Sequence, residues 1–233
     1  MEIQIAIAKI NKFASPDSGD TVEFIERPNG GISVVLADAK LNQKSSKALS
    51  MKVVHRVVNL IGEGVRDGIA AKAVSSVLFR ENAGNVSSSL NILSTDLLTN
   101  TLVITRNNPA PVIVLRNGQV SRLSAKSIEL GHQENIEPSI NEIPLESGTT
   151  LIMFTDGVIN AGQAQGLSYD LFTTLDALVE EQEPTANEIA EFLLSQAISL
   201  DQGKPEDDMC VVVLQTTPHK DNPVLRLIVK IPV

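Results

Sequence analysis

The sequence is short of several residues that define particular protein classes. It has one cysteine, Cys210, which excludes an internal disulfide framework and fits a reducing compartment. Six Phe, one Tyr and no Trp leave little with which to stack bases or sugar rings. Three His and one Cys give no zinc-ligand spacing. Basic residues are in the minority: 19 Lys and Arg against 28 Asp and Glu give a formal net charge of −9. A chain this acidic lacks the footprint for nucleic acid or an anionic membrane surface. No apolar run reaches the ~18 residues of a membrane span. Met1-Glu2-Ile3-Gln4 opens with an acid and no basic segment, unlike a signal peptide. These absences lead us to expect a cytoplasmic protein, monomer or homodimer, with neither nucleic acid nor membrane as partner.

What is present is aliphatic. Hydrophobic residues make up 42% of the 233 and charged residues 20%, an ordinary balance for a globular domain. Ile3–Ile7, Thr21–Arg27 and Ile32–Ala37 read as strands, the last two joined by the turn Pro28-Asn29-Gly30-Gly31. From about Lys44 the period changes. Leu49, Val53, Val54, Val57, Val58, Ile61 and Val65 mark an amphipathic helix, and Asp67 is placed to cap a second one running to about Phe79. Leu90–Leu93, Thr101–Thr105, Pro111–Leu115 and Gln119–Leu123 read as strands, with Asn117-Gly118 as a type I′ turn. Residues 124–144 read as a loop. Leu151–Phe154 is a buried strand, two helices follow near 168–183 and 185–200, and Thr185-Ala186-Asn187-Glu188 is a capping box. Met209–Gln215 is an apolar strand, and Leu227–Ile231 reads as one more. The fold class is α+β, with antiparallel sheets and helices packed outside.

The acids fall at telling places. Asp20 enters a strand, Asp38 and Asp156 each follow one, and Asp207 and Asp208 precede one. Carboxylates brought together in this way repel unless protonated or neutralised by cations, and oxygen-only ligands select Mg²⁺, Mn²⁺ or Ca²⁺. Asp beside a strand is equally an ordinary turn former, and spacing does not establish convergence. Cys210, among valines, reads as a buried core thiol, and His55, within a helix, as structural.

The ordered set Ser18-Gly19-Asp20, Leu36-Ala37-Asp38, Phe154-Thr155-Asp156-Gly157 and Asp207-Asp208-Met209 resembles the PPM (PP2C-type) serine/threonine protein phosphatases, and is most similar to the bacterial SpoIIE/RsbU/RsbX branch. Asn108–Gly118 and Leu130-Gly131 resemble that branch's middle region, so the likeness covers roughly residues 15–215.

The resemblance implies a PP2C-like β-sandwich of two antiparallel sheets flanked by pairs of α-helices. It places a single phosphatase domain over 1–216 and leaves 217–233 as a C-terminal extension. It also implies two Mn²⁺ or Mg²⁺ ions, with an optional third. Asp38 would bridge both ions, Asp156 and Asp207 would hold the first, and Asp20 with the Ala39 carbonyl would hold the second. Asp38 and Asp156 are the expected catalytic carboxylates, and Asp208 either supports the ligands or binds the third ion. The implied reaction is hydrolysis of phosphoserine or phosphothreonine by a metal-activated water. The implied substrate is a small phosphorylated signalling protein of the STAS, anti-sigma-antagonist type. No sensor or coiled coil precedes the domain in these residues, so input is expected through a partner, a dimer contact or substrate supply.

Two departures stand out. Relatives follow the bridging Asp with Gly, whereas this chain has Ala39-Lys40-Leu41-Asn42-Gln43-Lys44, which predicts strain at Ala39 if the turn needs positive φ. Lys40, Lys44 and Lys47 read as a solvated basic face, or as charges that meet a phosphate or an acidic partner. Asn107-Asn108 replaces the family's Gly-His. The Ala39 turn also admits an alternative, a weak or inactive phosphatase-like domain that binds a partner. A third reading, a structural domain with unrelated turn aspartates, predicts no divalent-ion binding.

Overall fold

A strand that is apolar at consecutive positions has to be covered on both faces, and the central strands here are. The computed structural model describes residues 1–218 other than Ala125 and Gln182. One antiparallel sheet has the order β1-β11-β10-β7-β8, built from Glu2–Ile10, Met209–Thr217, Thr149–Phe154, Val112–Arg116 and Gln119–Leu123. The other has the order β2-β3-β5-β6-β9, built from Asp20–Glu26, Ile32–Leu41, Val86–Asp96, Thr101–Asn107 and Ser139–Pro144. A two-residue strand β4, Lys44–Ser45, pairs with the end of β3.

Alternation along each strand assigns side chains to layers. Val34, Leu36, Leu93, Ile104, Leu151, Met153, Cys210 and Val212 fill the space between the sheets. Val35, Ala37, Ala39, Leu90 and Ile92 face the other way, onto helices α1 (Lys47–Gly62) and α2 (Asp67–Asn82). Ile152, Phe154, Val211 and Val213 pack against α4 (Leu171–Glu181) and α5 (Ala186–Leu200). The result is a four-layer sandwich, helix pair on sheet on sheet on helix pair, as the family resemblance implies. A short helix α3, Asp156–Ile159, follows β10, and a turn of 3₁₀ helix covers Gln163–Gln165.

Local sequence explains the element ends. The Ser46 side chain accepts from the Leu49 amide to cap α1, and Thr185 and Glu188 form the capping box of α5. Asn117 (φ 53°) and Gly118 (φ 70°) make the tight β7–β8 turn.

Four readings are corrected. Asp38 does not end its strand: β3 runs on to Leu41, because β4 and β5 both continue to pair with it. Residues 124–144 are not all loop, since Ser139–Pro144 pairs with β6 as an edge strand. Its flanking prolines, Pro138 and Pro144, hid it. Asp67 is not a cap but the first residue of α2, where its buried carboxylate meets Arg27 Nη1 at 2.6 Å. The strain expected at Ala39 is absent, because Ala39 has strand geometry and the positive φ falls at Asn42 (50°) and Gln43 (65°). The strand expected at Leu227–Ile231 lies outside the described residues, and no described helix is long and apolar enough to cross a membrane.

Candidate active site

The acids read from the sequence do come together, at one end of the sandwich. Asp20 opens β2 and stands directly opposite Asp38 of β3 in the ladder. Both are buried, at 1% and 8% exposure. From the other sheet, Asp156 leaves the end of β10 as the first residue of α3, and Asp207 and Asp208 lead into β11.

Two glycines permit this approach. A Cβ on Gly157 would lie 2.1 Å from the Asp208 carbonyl oxygen and 3.3 Å from Asp207 Cβ, so only glycine lets α3 sit against the 207–208 backbone. A Cβ on Gly19 would stand 3.0 Å from Ser45 Cβ and 3.3 Å from Asp38 Oδ1. The glycines of Thr-Asp-Gly and Ser-Gly-Asp are therefore close-packing residues.

Burial and mutual repulsion act on Asp20, Asp38 and Asp207. Burial first, then the charge of Asp156, push Asp38 up to about 7. Burial and the neighbouring Asp38 raise Asp20 well above the usual carboxylate range. Asp207 is raised by burial and by Asp156.

Asp20 also has a fixed orientation. The Thr155 hydroxyl donates to Asp20 Oδ2 at 2.9 Å and accepts from the Cys210 amide at 2.9 Å. One hydroxyl, on the residue that follows β10, thus ties Asp20 at the start of β2 to β11 of the opposite sheet. Asp20 Oδ1 is buried and has no hydrogen-bond partner among the described residues. Asp208 is engaged differently: Oδ1 accepts from the Lys12 amide at 2.9 Å and Oδ2 from the Gly19 amide at 2.7 Å. Both of its oxygens are spent on shaping the 12–19 segment beneath Asp20. The Ala39 carbonyl accepts from the Ser46 amide at 2.8 Å.

Three lysines answer the acids. Lys40 Nζ lies 2.8 Å from Asp156 Oδ2 and 3.6 Å from Asp38 Oδ2. Lys9 and Lys47 both donate to the Asp20 carbonyl, at 2.6 and 2.8 Å. Burial works to lower Lys40, but the hydrogen bond and charge of Asp156, with Asp38 and Asp207, hold it above its ordinary value. Lys47 is lowered by burial and by Lys9. Of the expected basic face only Lys44 is simply exposed. Lys9 and Thr155 are site residues that sequence reasoning missed, and Lys40 and Lys47, read as part of a basic face, turn inward to the acids instead. The signal available was parity, since Lys40 shares a strand face with Asp38 if β3 continues.

His55 lies on the surface of α1, its Nε2 2.8 Å from Glu23 Oε1, and His132 is exposed. The Cys210 thiol is fully buried and pushed up by that burial, so it offers no nucleophile. A groove of about 460 Å³ lined by Arg27, Asp67, Lys72, Glu137 and Ile140 opens at the far end of β2 and shares no residue with the acids.

The donor set suits hard divalent ions: it is all oxygen, mutually repelling, and includes the orphaned Asp20 Oδ1. As arranged, no group of three or more acidic, His or Cys side chains among the described residues converges on one metal position. Lys40 stands between two of the acids.

Two antiparallel sheets between helix pairs, with aspartates from both sheets at one end, define a PP2C-type phosphatase fold. Solved structures agree. The PP2C phosphatase domain of SpoIIE from Bacillus subtilis, with a fragment of its regulatory domain, superimposes with a TM-score of 0.79 at 22% identity, over 92% of this chain and 63% of that one. RsbX in complex with magnesium superimposes with a TM-score of 0.65 at 13% identity, over 92% and 96%. The stage II sporulation protein E of Priestia megaterium is 24% identical over 196 residues, which are 84% of this chain and 33% of that protein. The chain thus spans about a third of the length of that relative. Residues 28–217 match the stage II sporulation protein E (SpoIIE) family, and the chain belongs to it.

Proposed function

We propose that this domain hydrolyses phosphoserine and phosphothreonine monoesters on a protein, using divalent ions held by Asp20, Asp38, Asp156 and Asp207. The observation that carries the reading is the meeting of these four acids, from both sheets, at one end of the sandwich, with Asp20 Oδ1 buried and unpartnered. Magnesium in the RsbX structure supports the same chemistry for a relative of this fold.

Hard divalent ions at such a site supply Lewis acidity toward a phosphoryl oxygen and lower the pKa of water. The residues of this chain do the rest. Asp38, between Asp20 and Asp156, is the carboxylate shared by the two halves of the site. Asp156 and Asp207 complete one half, and Asp20, oriented by Thr155, the other. Asp208 binds amides rather than ions and holds the Lys12–Gly19 segment in place. Burial of Asp20 and Asp38 keeps bulk water from screening charge at the reacting centre. In this reading the carboxylates are taken up as ion ligands and the Cys210 thiol is buried, which suits direct attack by water.

For the physiological substrate we propose a small phosphorylated STAS-type signalling protein. The test is phosphate release from phosphoserine, phosphothreonine and phosphotyrosine peptides and from a phosphorylated STAS protein, with Mn²⁺, with Mg²⁺ and with excess chelator. Release from the serine and threonine substrates that requires metal is expected. Metal-independent release, or equal release from phosphotyrosine, contradicts the mechanism. A peptide rate equal to or above that of the STAS protein contradicts the substrate assignment alone.

A further inference from the structure

The ammonium of Lys40 occupies an unusual place for a surface lysine. Strand parity puts it on the face of β3 that carries Asp38, two residues along. The β3–β4 hairpin keeps it there. Asn42 and Gln43 both adopt positive φ, a conformation that is unfavourable for non-glycine residues. In return β3 stays extended through Lys40, which pairs with Ser45, and the Ser46 amide binds the Ala39 carbonyl. The backbone thus holds local strain that fixes the direction of one side chain. That side chain reaches the opposite sheet, 2.8 Å from Asp156 and 3.6 Å from Asp38. It is the one cation paired with Asp156 among the described residues. Lys9 and Lys47 bind instead at the Asp20 carbonyl, and among the described residues Lys40 alone is ion-paired with Asp38 and Asp156.

We infer that Lys40 is a built-in counterion that competes with divalent metal for the space between Asp38 and Asp156. The inference rests on the proposed metal site and deepens it. A divalent ion shared by these two carboxylates has to displace the ammonium, and an ammonium and a divalent cation do not share ligands at this distance. The Lys40 side chain is 30% exposed, so it has an exit to solvent that needs no backbone change. Metal binding becomes an exchange of one tethered charge for one free ion. Two consequences follow: the domain keeps its acids neutralised when metal is scarce, and its apparent metal affinity is lower than the bare carboxylates would give.

The experiment is Mn²⁺ titration by calorimetry of the parent chain, Lys40→Met and Lys40→Arg, with thermal unfolding of each in chelator and in saturating Mn²⁺. Lys40→Met is expected to bind Mn²⁺ about tenfold or more tightly, as removal of a competing charge predicts. It is also expected to melt lower than the parent in chelator and to gain more from Mn²⁺. Lys40→Arg keeps a cation and is expected to behave as the parent. Equal Mn²⁺ affinity in the parent and Lys40→Met overturns the counterion role while leaving the metal site standing. Absence of Mn²⁺ binding in all three overturns both.

Discussion

Gly157→Ala is a direct test of how the two sheets are joined at the site. Gly157 follows Asp156 and has ordinary helical backbone, so alanine meets no conformational objection there. The objection is steric. Its Cβ would stand 2.1 Å from the Asp208 carbonyl oxygen, more than ~1 Å inside van der Waals contact, and 3.0 Å from the carbonyl carbon. Both are backbone atoms, and the loop that carries them is pinned by the Lys12 and Gly19 amides and by entry into β11. Relief requires α3 or the 207–208 backbone to move. Overpacking of this kind costs about 1–3 kcal/mol, and the rigidity on both sides argues for the upper end. With a urea slope of ~2–3 kcal/mol/M, the unfolding midpoint falls by about 1 M. Gly148→Ala is the control: it has nothing within 4 Å and a φ of +81°, so it carries only a backbone penalty of about 1 kcal/mol. A Gly157→Ala midpoint shift no larger than that of Gly148→Ala refutes the close-approach argument.

Thr155→Val removes the hydroxyl shared by Asp20 and the Cys210 amide, leaving two buried polar groups unpaired, for about 2–4 kcal/mol. Thr155→Ser keeps both bonds, and urea unfolding of the two variants checks the contrast. In chelator, stability is expected to fall as pH rises from about 4 to about 7. Asp38 has a folded value near 7 against an ordinary 3.8, so the folded state holds a proton that the unfolded chain has lost across that window. Asp20 and Asp207, also raised, act in the same sense. Unfolding midpoints measured at pH 5 and pH 7.5 check this, and a midpoint that rises with pH contradicts it.

The layers of the fold were legible because they follow from local pattern. β10 and β11 announce themselves as short apolar runs, and α1 and α5 as apolar stripes, the second with the Thr185 capping box at its start. β9 was not legible, since its Ile140 and Ile143 are separated by Asn141 and Glu142 and bracketed by prolines. The Ser87-Ser88-Ser89 half of β5 was hidden for a similar reason: small polar residues are buried there against Asp38 and Leu130. The acids of the site could be picked out because Asp is conspicuous beside an apolar strand. Their supports could not. Thr155 meets Asp20 across 135 residues, Asp208 meets Gly19 across 189, and Lys40 meets Asp156 across 116. Such contacts depend on sheet register and hairpin length, which no short window of sequence contains. Lys40 illustrates the point: with β3 ending at Ala37, as the apolar run alone suggests, it belongs to a loop, and with β3 running to Leu41 it belongs to the site.

The central claim is that Asp38 is the shared carboxylate of a metal-dependent phosphatase site. It is tested most directly by comparing the parent chain with Asp38→Asn for phosphoserine-peptide hydrolysis at saturating Mn²⁺, alongside thermal unfolding in chelator. The account predicts loss of metal-dependent turnover with the fold retained, because Asn relieves a buried, repelling charge. Asp38→Asn turnover within about threefold of the parent, where loss of a metal-bridging charge should cost orders of magnitude, contradicts it.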